Sequence, residues 1–152
     1  MITINLVCVG NLKEKFSRDE QEEYLKRLSA FCKINVIEIK EENQLSNPEL
    51  VLEKEAEDIL KKIKGYCILC DINSKEFSSV GFAEKIQDLM QETSTITFVV
   101  GGSYGLSVKV KEKANMKISF SHMTFPHNLF RIMLLEQIYR AFTIINGKSY
   151  HK

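Results

Sequence analysis

Histidine is scarce in this chain: three residues in 152, all within the last 31 positions. His122 and His127 flank Pro126, one of only two prolines, in the stretch SHMTFPHNLFR, and His151 is the penultimate residue. A zinc centre needs converging ligands, and no carboxylate lies in that stretch, so no metal site is expected there. A Ser–His hydrolase has no support either, because no G-x-S-x-G occurs. Cysteine is sparse too: Cys8, Cys32, Cys67 and Cys70. Cys67 and Cys70 have CxxC spacing, but no second pair and no nearby histidine complete a zinc set. YCILC reads instead as a short buried strand, in which positions i and i+3 face opposite ways. Its thiols read as reduced core residues. No apolar run approaches transmembrane length. MITINLVCVG lacks a basic leader and breaks at Gly10, so no signal peptide is expected and a cytoplasmic protein is. There is no repeat, low-complexity tract or linker.

A chain of 152 residues suits a single domain over 1–152. At that length it buries roughly 70% of its unfolded surface, so no disulfide or metal staple is required. Hydrophobic residues at 44% and charged residues at 27% are ordinary for a globular protein. The net charge of +1 hides a polarity. Residues 101–152 carry eight Lys/Arg against two Asp/Glu, and residues 1–100 carry thirteen against eighteen. The basic last third suggests an anionic partner on that side, although solvated surface lysines explain it equally well.

Apolar runs and helical patterns alternate along the chain. ITINLVCV predicts a strand, and SRDEQEEYLKRLSAF a helix with Tyr24, Leu25, Leu28 and Phe31 at helical spacing. KINVIEI predicts a second strand. The polar loop KEENQLSN ends at Asn47-Pro48, a helix cap followed by a favoured first helical residue. That helix is predicted to stop at Gly65. YCILC is the third strand, DINSKEF a loop, and Ser78 or Ser79 the cap of the next helix. TITFVV, a short helix over about 106–114, the strand MKISF and a long helix to Asn146 follow, with Gly147 as the stop. Such alternation predicts an α/β fold, a mainly parallel sheet with helices on both faces. Ligands bind such sheets in the loops beyond the carboxyl ends of the strands, here 71–77, 101–105 and 120–126.

VVGGSYGLS follows the fourth strand. It is not a P-loop, since no Gly-Lys-Ser/Thr follows. It is a poor dinucleotide fingerprint as well, with GGxxG spacing and no acid near position 121 to hold a ribose. A ligand held mostly by backbone and a plain tight turn both remain open.

The last helix, HNLFRIMLLEQIYRAFTIIN, is apolar around most of its circumference. It must be covered on more than one side, which predicts a homodimer. His127 and Arg131 lie about 40° apart on one face. Glu136 and Arg140 have the favourable i,i+4 order for an ion pair.

Three segments together, VVGGSYGL, SFSHMTFPHNLFR with EQIYRAF, and GKSYHK, resemble the small SPOUT-class methyltransferases of the RlmH type. The resemblance runs from VCVGNLKE nearly to the end of the chain. It implies a C-terminal deep trefoil knot over about residues 95–150 and a homodimer. It also implies transfer of a methyl group from S-adenosylmethionine to N3 of a pseudouridine in 23S ribosomal RNA, with a folded or assembled ribosome as partner and no membrane or metal. The implied cofactor residues are Cys70, Gly101, Gly102, Phe120, Ser121, His122, Met123, Thr124 and Phe125. The implied catalytic residues are His151, Tyr150, Arg131 and Arg140, with the tail acting across the dimer. His151 is the candidate general base. Tyr150 would stack on or hydrogen-bond the base, and Arg131 and Arg140 would hold phosphate or a developing oxyanion. Cys70 stands where the family usually has an aliphatic residue, and the 71–81 loop lacks the usual glycine near Ser74 and has Val80 at a usually acidic position. The rival readings are a nucleotide-binding enzyme on an ordinary doubly wound sheet and a non-catalytic ribosome- or RNA-binding module.

Overall fold

The computed structural model describes residues 1–42 and 46–152. The middle of the expected polar loop, 43–45, lies outside the described residues. Ten elements follow in order: β1 (Thr3–Val9), α1 (Lys15–Leu28), β2 (Lys33–Ile39), α2 (Pro48–Lys62), β3 (Tyr66–Cys70), α3 (Ser79–Glu92), β4 (Thr95–Val100), α4 (Val108–Lys113), β5 (Met116–Ile118) and α5 (His127–Ile145). The strands form one sheet in the order β2-β1-β4-β3-β5. Every pairing is parallel. Parallel strands buried on both faces need near-continuous apolar runs, which YCILC and TITFVV supply.

The caps follow the sequence chemistry. The Asn47 side chain accepts a hydrogen bond from the Glu49 amide, and Pro48 opens α2. Ser78, rather than Ser79, caps α3 by accepting from the Gly81 amide. Gly147 takes positive φ just beyond the end of α5. Gly65 is not the cap of α2; the helix ends at Lys62 and Ile63 caps it, two residues before Gly65. It is still required, with φ of +67° and a Thr95 carbonyl where a Cβ would stand.

Three elements end elsewhere than their patterns predict. α1 stops at Leu28 because the chain tightens there, with Phe31 N–H bonded to the Leu28 carbonyl. Phe31 then stacks on Phe142 of α5, with ring centroids 5.8 Å apart. α4 starts at Val108, where Ser107 caps it. β5 ends at Ile118 because the Ser119 amide turns to the Lys75 carbonyl.

Two cores lie against opposite faces of the sheet. On one, Leu28 of α1, Phe82 and Ile86 of α3, and Leu134, Ile138 and Phe142 of α5 cover Ile4, Leu6, Ile68, Ile96 and Phe98. On the other, Ala56 and Ile59 of α2 and Val110 of α4 cover Val7, Val9, Leu69 and Val99. Cys67 belongs to the second core and Cys70 packs against the first, as alternation along a strand requires.

α5 corrects one inference. Its apolar circumference is covered within the chain, by the sheet beneath and by α1 and α3 on its flanks. A second subunit is therefore not needed to explain Leu134, Leu135, Ile138, Ala141 or Phe142, all buried here. Leu129, in the first turn and 51% exposed, is the large apolar residue of α5 left open.

Candidate functional site

A cavity of about 320 Å³ opens beyond the carboxyl ends of β3, β4 and β5. The three loops singled out by the sheet topology meet there. Ligand pockets run from about 300 to 1,000 Å³, so this one can take a nucleoside-sized molecule.

Each wall has a local cause. Cys70 and Ile118 end their strands side by side, in register. Beyond them the Asp71 carboxylate accepts from the Asn73 amide and turns the chain. The Ser119 hydroxyl accompanies the carbonyls of Ile72 and Ser121 at 3.1 and 2.9 Å, tying the 71–77 and 120–126 loops together. Phe120 packs on Phe130 of α5 with centroids 4.8 Å apart.

The glycine loop is a tight turn. The Gly105 amide donates to the Gly102 carbonyl at 3.1 Å. Gly105 has φ of +80°, and nothing would meet its Cβ, so conformation alone calls for glycine there. A Cβ on Gly101 would come within 2.6 Å of the Gly105 carbonyl oxygen, and one on Gly102 within 2.9 Å of a Val9 methyl. Those two are glycines for the packing of the turn. The ligand benefit is indirect: a side-chain-free backbone faces the cavity.

The cavity is lined by Cys70, Gly101, Gly102, Phe120, Ser121, Thr124 and Phe125 among the residues expected to hold a cofactor. His122 and Met123 do not line it. The His122 ring lies between the Glu76 carboxylate, at 3.3 Å, and the Ile72 carbonyl, at 3.0 Å. Met123 is 72% exposed. Lys111, His127 and Phe130, none of which the sequence marked as lining residues, also border the cavity. The parallel-sheet rule pointed at loops, and these side chains come from helices.

Arg131 is not where a phosphate or an oxyanion could meet it. Its side chain is 1% exposed. The guanidinium pairs with Glu38 at 2.7 Å and donates to the Gly10 carbonyl at 3.0 Å and to Gln21 at 3.3 Å. It fastens α5 to the end of β1. His127, four residues earlier on the same face, sits 3.3 Å from the Val9 carbonyl. The face predicted for the pair is real, and it points at β1.

Arg140, Tyr150 and His151 form a separate assembly at the other end of α5. Arg140 donates to Glu136 at 2.7 Å and stacks over the Tyr150 ring, whose centroid is 4.8 Å away. The Glu136 hydrogen bond raises the Arg140 pKa further, so the guanidinium stays charged. Tyr150 meets Tyr139 edge-on. Arg140 Nη1 lies 3.0 Å from His151 Nδ1. Arginine can only donate, so Nδ1 accepts, and a neutral imidazole then carries its proton on Nε2. In this geometry His151 offers a donor at Nε2, not a base. None of the tail residues lines the cavity.

The thiols are inert. Burial pushes Cys67 up to about 11, and Cys8 and Cys32 up to about 12. Cys70 is raised as well, by burial first and then by Cys8 and Cys67. All four are free. Thiolate chemistry has no starting point here. Among the described residues no group of three or more side chains could hold a metal ion, and no helix is long and apolar enough to cross a membrane.

Residues 2–151 match the family described as "Predicted SPOUT methyltransferase". A "Ribosomal RNA large subunit methyltransferase H" from Caldicellulosiruptor saccharolyticus is 52% identical over 98% of this chain and 99% of its own length. A protein of the same name from Clostridium acetobutylicum is 49% identical over 99% of this chain and all of its own. Among solved structures, a probable methylase family protein from Haemophilus influenzae aligns with a TM-score of 0.54 at 14% identity, covering 99% of this chain and 70% of that one. A putative methyltransferase from Legionella pneumophila, in complex with bound SAM, aligns with a TM-score of 0.50 at 12% identity, covering 92% and 66%.

Proposed function

The chain belongs to the SPOUT methyltransferase family, in its RlmH-type group, and from that premise we propose that it methylates N3 of a pseudouridine in 23S ribosomal RNA, using S-adenosylmethionine and acting on the assembled ribosome. The reading includes a homodimer and one SPOUT domain over the whole chain, knotted over about 95–150. The cavity carries it: seven of the nine residues expected to hold the cofactor line one space at the ends of β3, β4 and β5. The relatives named as ribosomal RNA large subunit methyltransferases support the substrate class. β5 lies on the far side of β3 from β4, and α5 returns to pack between α1 and α3.

The residues present fit the cofactor. Adenine and ribose are neutral and polar, and the glycine turn, the Phe120–Phe125 loop and the Ser121 and Thr124 hydroxyls offer backbone and neutral partners. When bound, S-adenosylmethionine supplies an electrophilic methyl on a sulfonium. The chain's part is then positioning, and in-line approach alone contributes several kcal/mol to such reactions. Phe120, Phe125 and Phe130, which line the cavity, would keep water from a bound methyl donor. Arg140 and His151 Nε2–H are donors suited to a uracil carbonyl on which negative charge develops once the N3 proton passes to bulk water. For His151 to take that proton itself, Nδ1 must first leave Arg140. Arg131, whose two terminal nitrogens hold Glu38, Gln21 and Gly10, positions the pocket end of α5.

In this reading the tail acts in another subunit's site. From His127 to Arg140 is thirteen residues of α5, about 20 Å along its axis. A chain's own tail therefore stands well away from its own cavity. The test is incubation with labelled S-adenosylmethionine and, in parallel, naked 23S RNA, large subunits and whole ribosomes. Label at N3 of one pseudouridine in whole ribosomes is expected. Cofactor binding with no transfer to any RNA removes the enzyme reading, and no cofactor binding leaves the ribosome-binding module.

A further inference from the structure

The cavity wall includes one cation that the proposed function does not use. Among the described residues Lys111, on α4, is the only lysine or arginine lining it, and Asp71 the only carboxylate. The other lysines of α4 are placed differently. Lys109 reaches toward Glu53 across the surface at 4.0 Å, and Lys113 is exposed. Lys111 is half-buried and has no ion-pair partner among the described residues. Its backbone is held by Val110, which is fully buried in the core shared with α2, and by the Ser107 cap. Lys111 thus stands at the cavity wall with its side chain unpaired among the described residues.

We propose that Lys111 binds the carboxylate of the amino-acid end of the methyl donor. The inference rests on the cofactor reading above. S-adenosylmethionine carries an ionised carboxylate, and enclosing it without a counter-charge is costly. The remaining walls are glycine backbone, aromatic rings, aliphatic side chains, small polar side chains, His127 and Asp71. Only Lys111 among them bears a fixed positive charge. Its flexible stem lets the ammonium follow the carboxylate to wherever the nucleoside places it. Asp71, on the opposite loop, is the natural neighbour for the ammonium or sulfonium. Lys111 thus fixes the orientation of the chain that carries the reactive methyl, a positioning role.

The test separates the amino-acid end from the nucleoside end. S-adenosylmethionine and 5′-methylthioadenosine, which lacks the amino acid, are titrated calorimetrically into the wild type, Lys111→Gln and Lys111→Arg. Lys111→Gln is expected to weaken S-adenosylmethionine about tenfold, the scale of one charge-assisted contact. Methylthioadenosine should change less than twofold, and Lys111→Arg should regain most of the lost affinity. Equal weakening of both ligands, or no change in either, overturns the assignment while the cofactor reading stands. So does a loss confined to RNA affinity, which would make Lys111 a phosphate contact. If the wild type binds neither ligand, the cofactor reading falls and the assignment with it.

Discussion

The two ends of α5 are built on opposite plans. At the first turn, His127 and Phe130 border a cavity of strand-end backbone and aromatic rings, with one cation and one anion. At the last turns, Glu136, Arg140, Tyr139, Tyr150 and His151 form a stack of charges and rings beside an open groove that Tyr139, Tyr150, Lys148 and Lys152 line. The first end can enclose a molecule, and the second can present donors to one. They are joined by a helix that is rigid because the sheet, α1 and α3 cover it on three sides. A helix so held cannot bend its end back to its own beginning. One chain therefore has a container and a set of donors that do not meet, which favours a reaction carried out between two copies. This is a better ground for a dimer than the apolar circumference of α5, which in-chain packing accounts for.

The widest break in that comparison comes from filling the container. In Gly101→Val the new Cβ meets the Gly105 carbonyl, a backbone atom that cannot move aside cheaply. Cofactor affinity should drop more than about a hundredfold, or about 2.7 kcal/mol, as the turn is forced open. His151→Ala should do the reverse, leaving calorimetric cofactor affinity within about twofold and slowing transfer roughly a hundredfold, as for loss of one positioned proton-handling or donor group. Mixing these two inactive chains after denaturation and refolding is the stricter trial. If tails serve partner pockets, mixed dimers hold one intact site, and about a quarter of wild-type activity returns. If no activity returns, container and donors serve the same chain, and the separation along α5 is irrelevant to the reaction.

A smaller effect sharpens what the tail does. His151→Gln keeps an N–H near the Nε2 position but cannot take a proton at neutral pH. The contact with Arg140 predicts that this variant holds within about tenfold of the wild-type rate, well above His151→Ala, since only the donor is needed. A Gln variant as slow as the Ala variant would show that His151 leaves Arg140 and works as a base.

Much of this was legible in the residues, and what was missed has a common reason. Apolar periodicity gave the alternation of strands and helices, and the helix caps followed from Asn47-Pro48 and the serines near Ser78. The parallel-sheet rule gave the loops that meet at the cavity. Arg131 was misread because its burial depends on Glu38, 93 residues earlier in the chain. An arginine on an apolar helix reads as solvent-facing until its partner is placed. Lys111 was missed for a related reason. Three lysines alternate along α4, and only the position of Val110 in the core decides which one turns toward the cavity. The flanking of α5 by α1 and α3 is equally invisible to local pattern, because strand order decides which helices become neighbours.

The last contrast is dryness, and Cys70 measures it. This thiol lines the cavity, and burial raises its pKa above the ordinary 9.0. Below about pH 8.5 the thiol is neutral in both folded and unfolded chains and gives no pH dependence. Above it the unfolded chain releases the proton while the folded chain keeps it. Stability therefore falls as pH rises, by at most about 1.4 kcal/mol per pH unit for one such group. Cys70→Val removes that share and leaves the contributions of Cys8, Cys32 and Cys67. Urea unfolding under reducing conditions at pH 7.5 and 9.5 should then show the variant losing about 1 kcal/mol less than the wild type between the two. Equal losses would mean that Cys70 ionises as readily in the folded chain as in the unfolded one. The cavity wall would then be as wet as the tail, and the difference between the two ends of α5 would be one of shape alone.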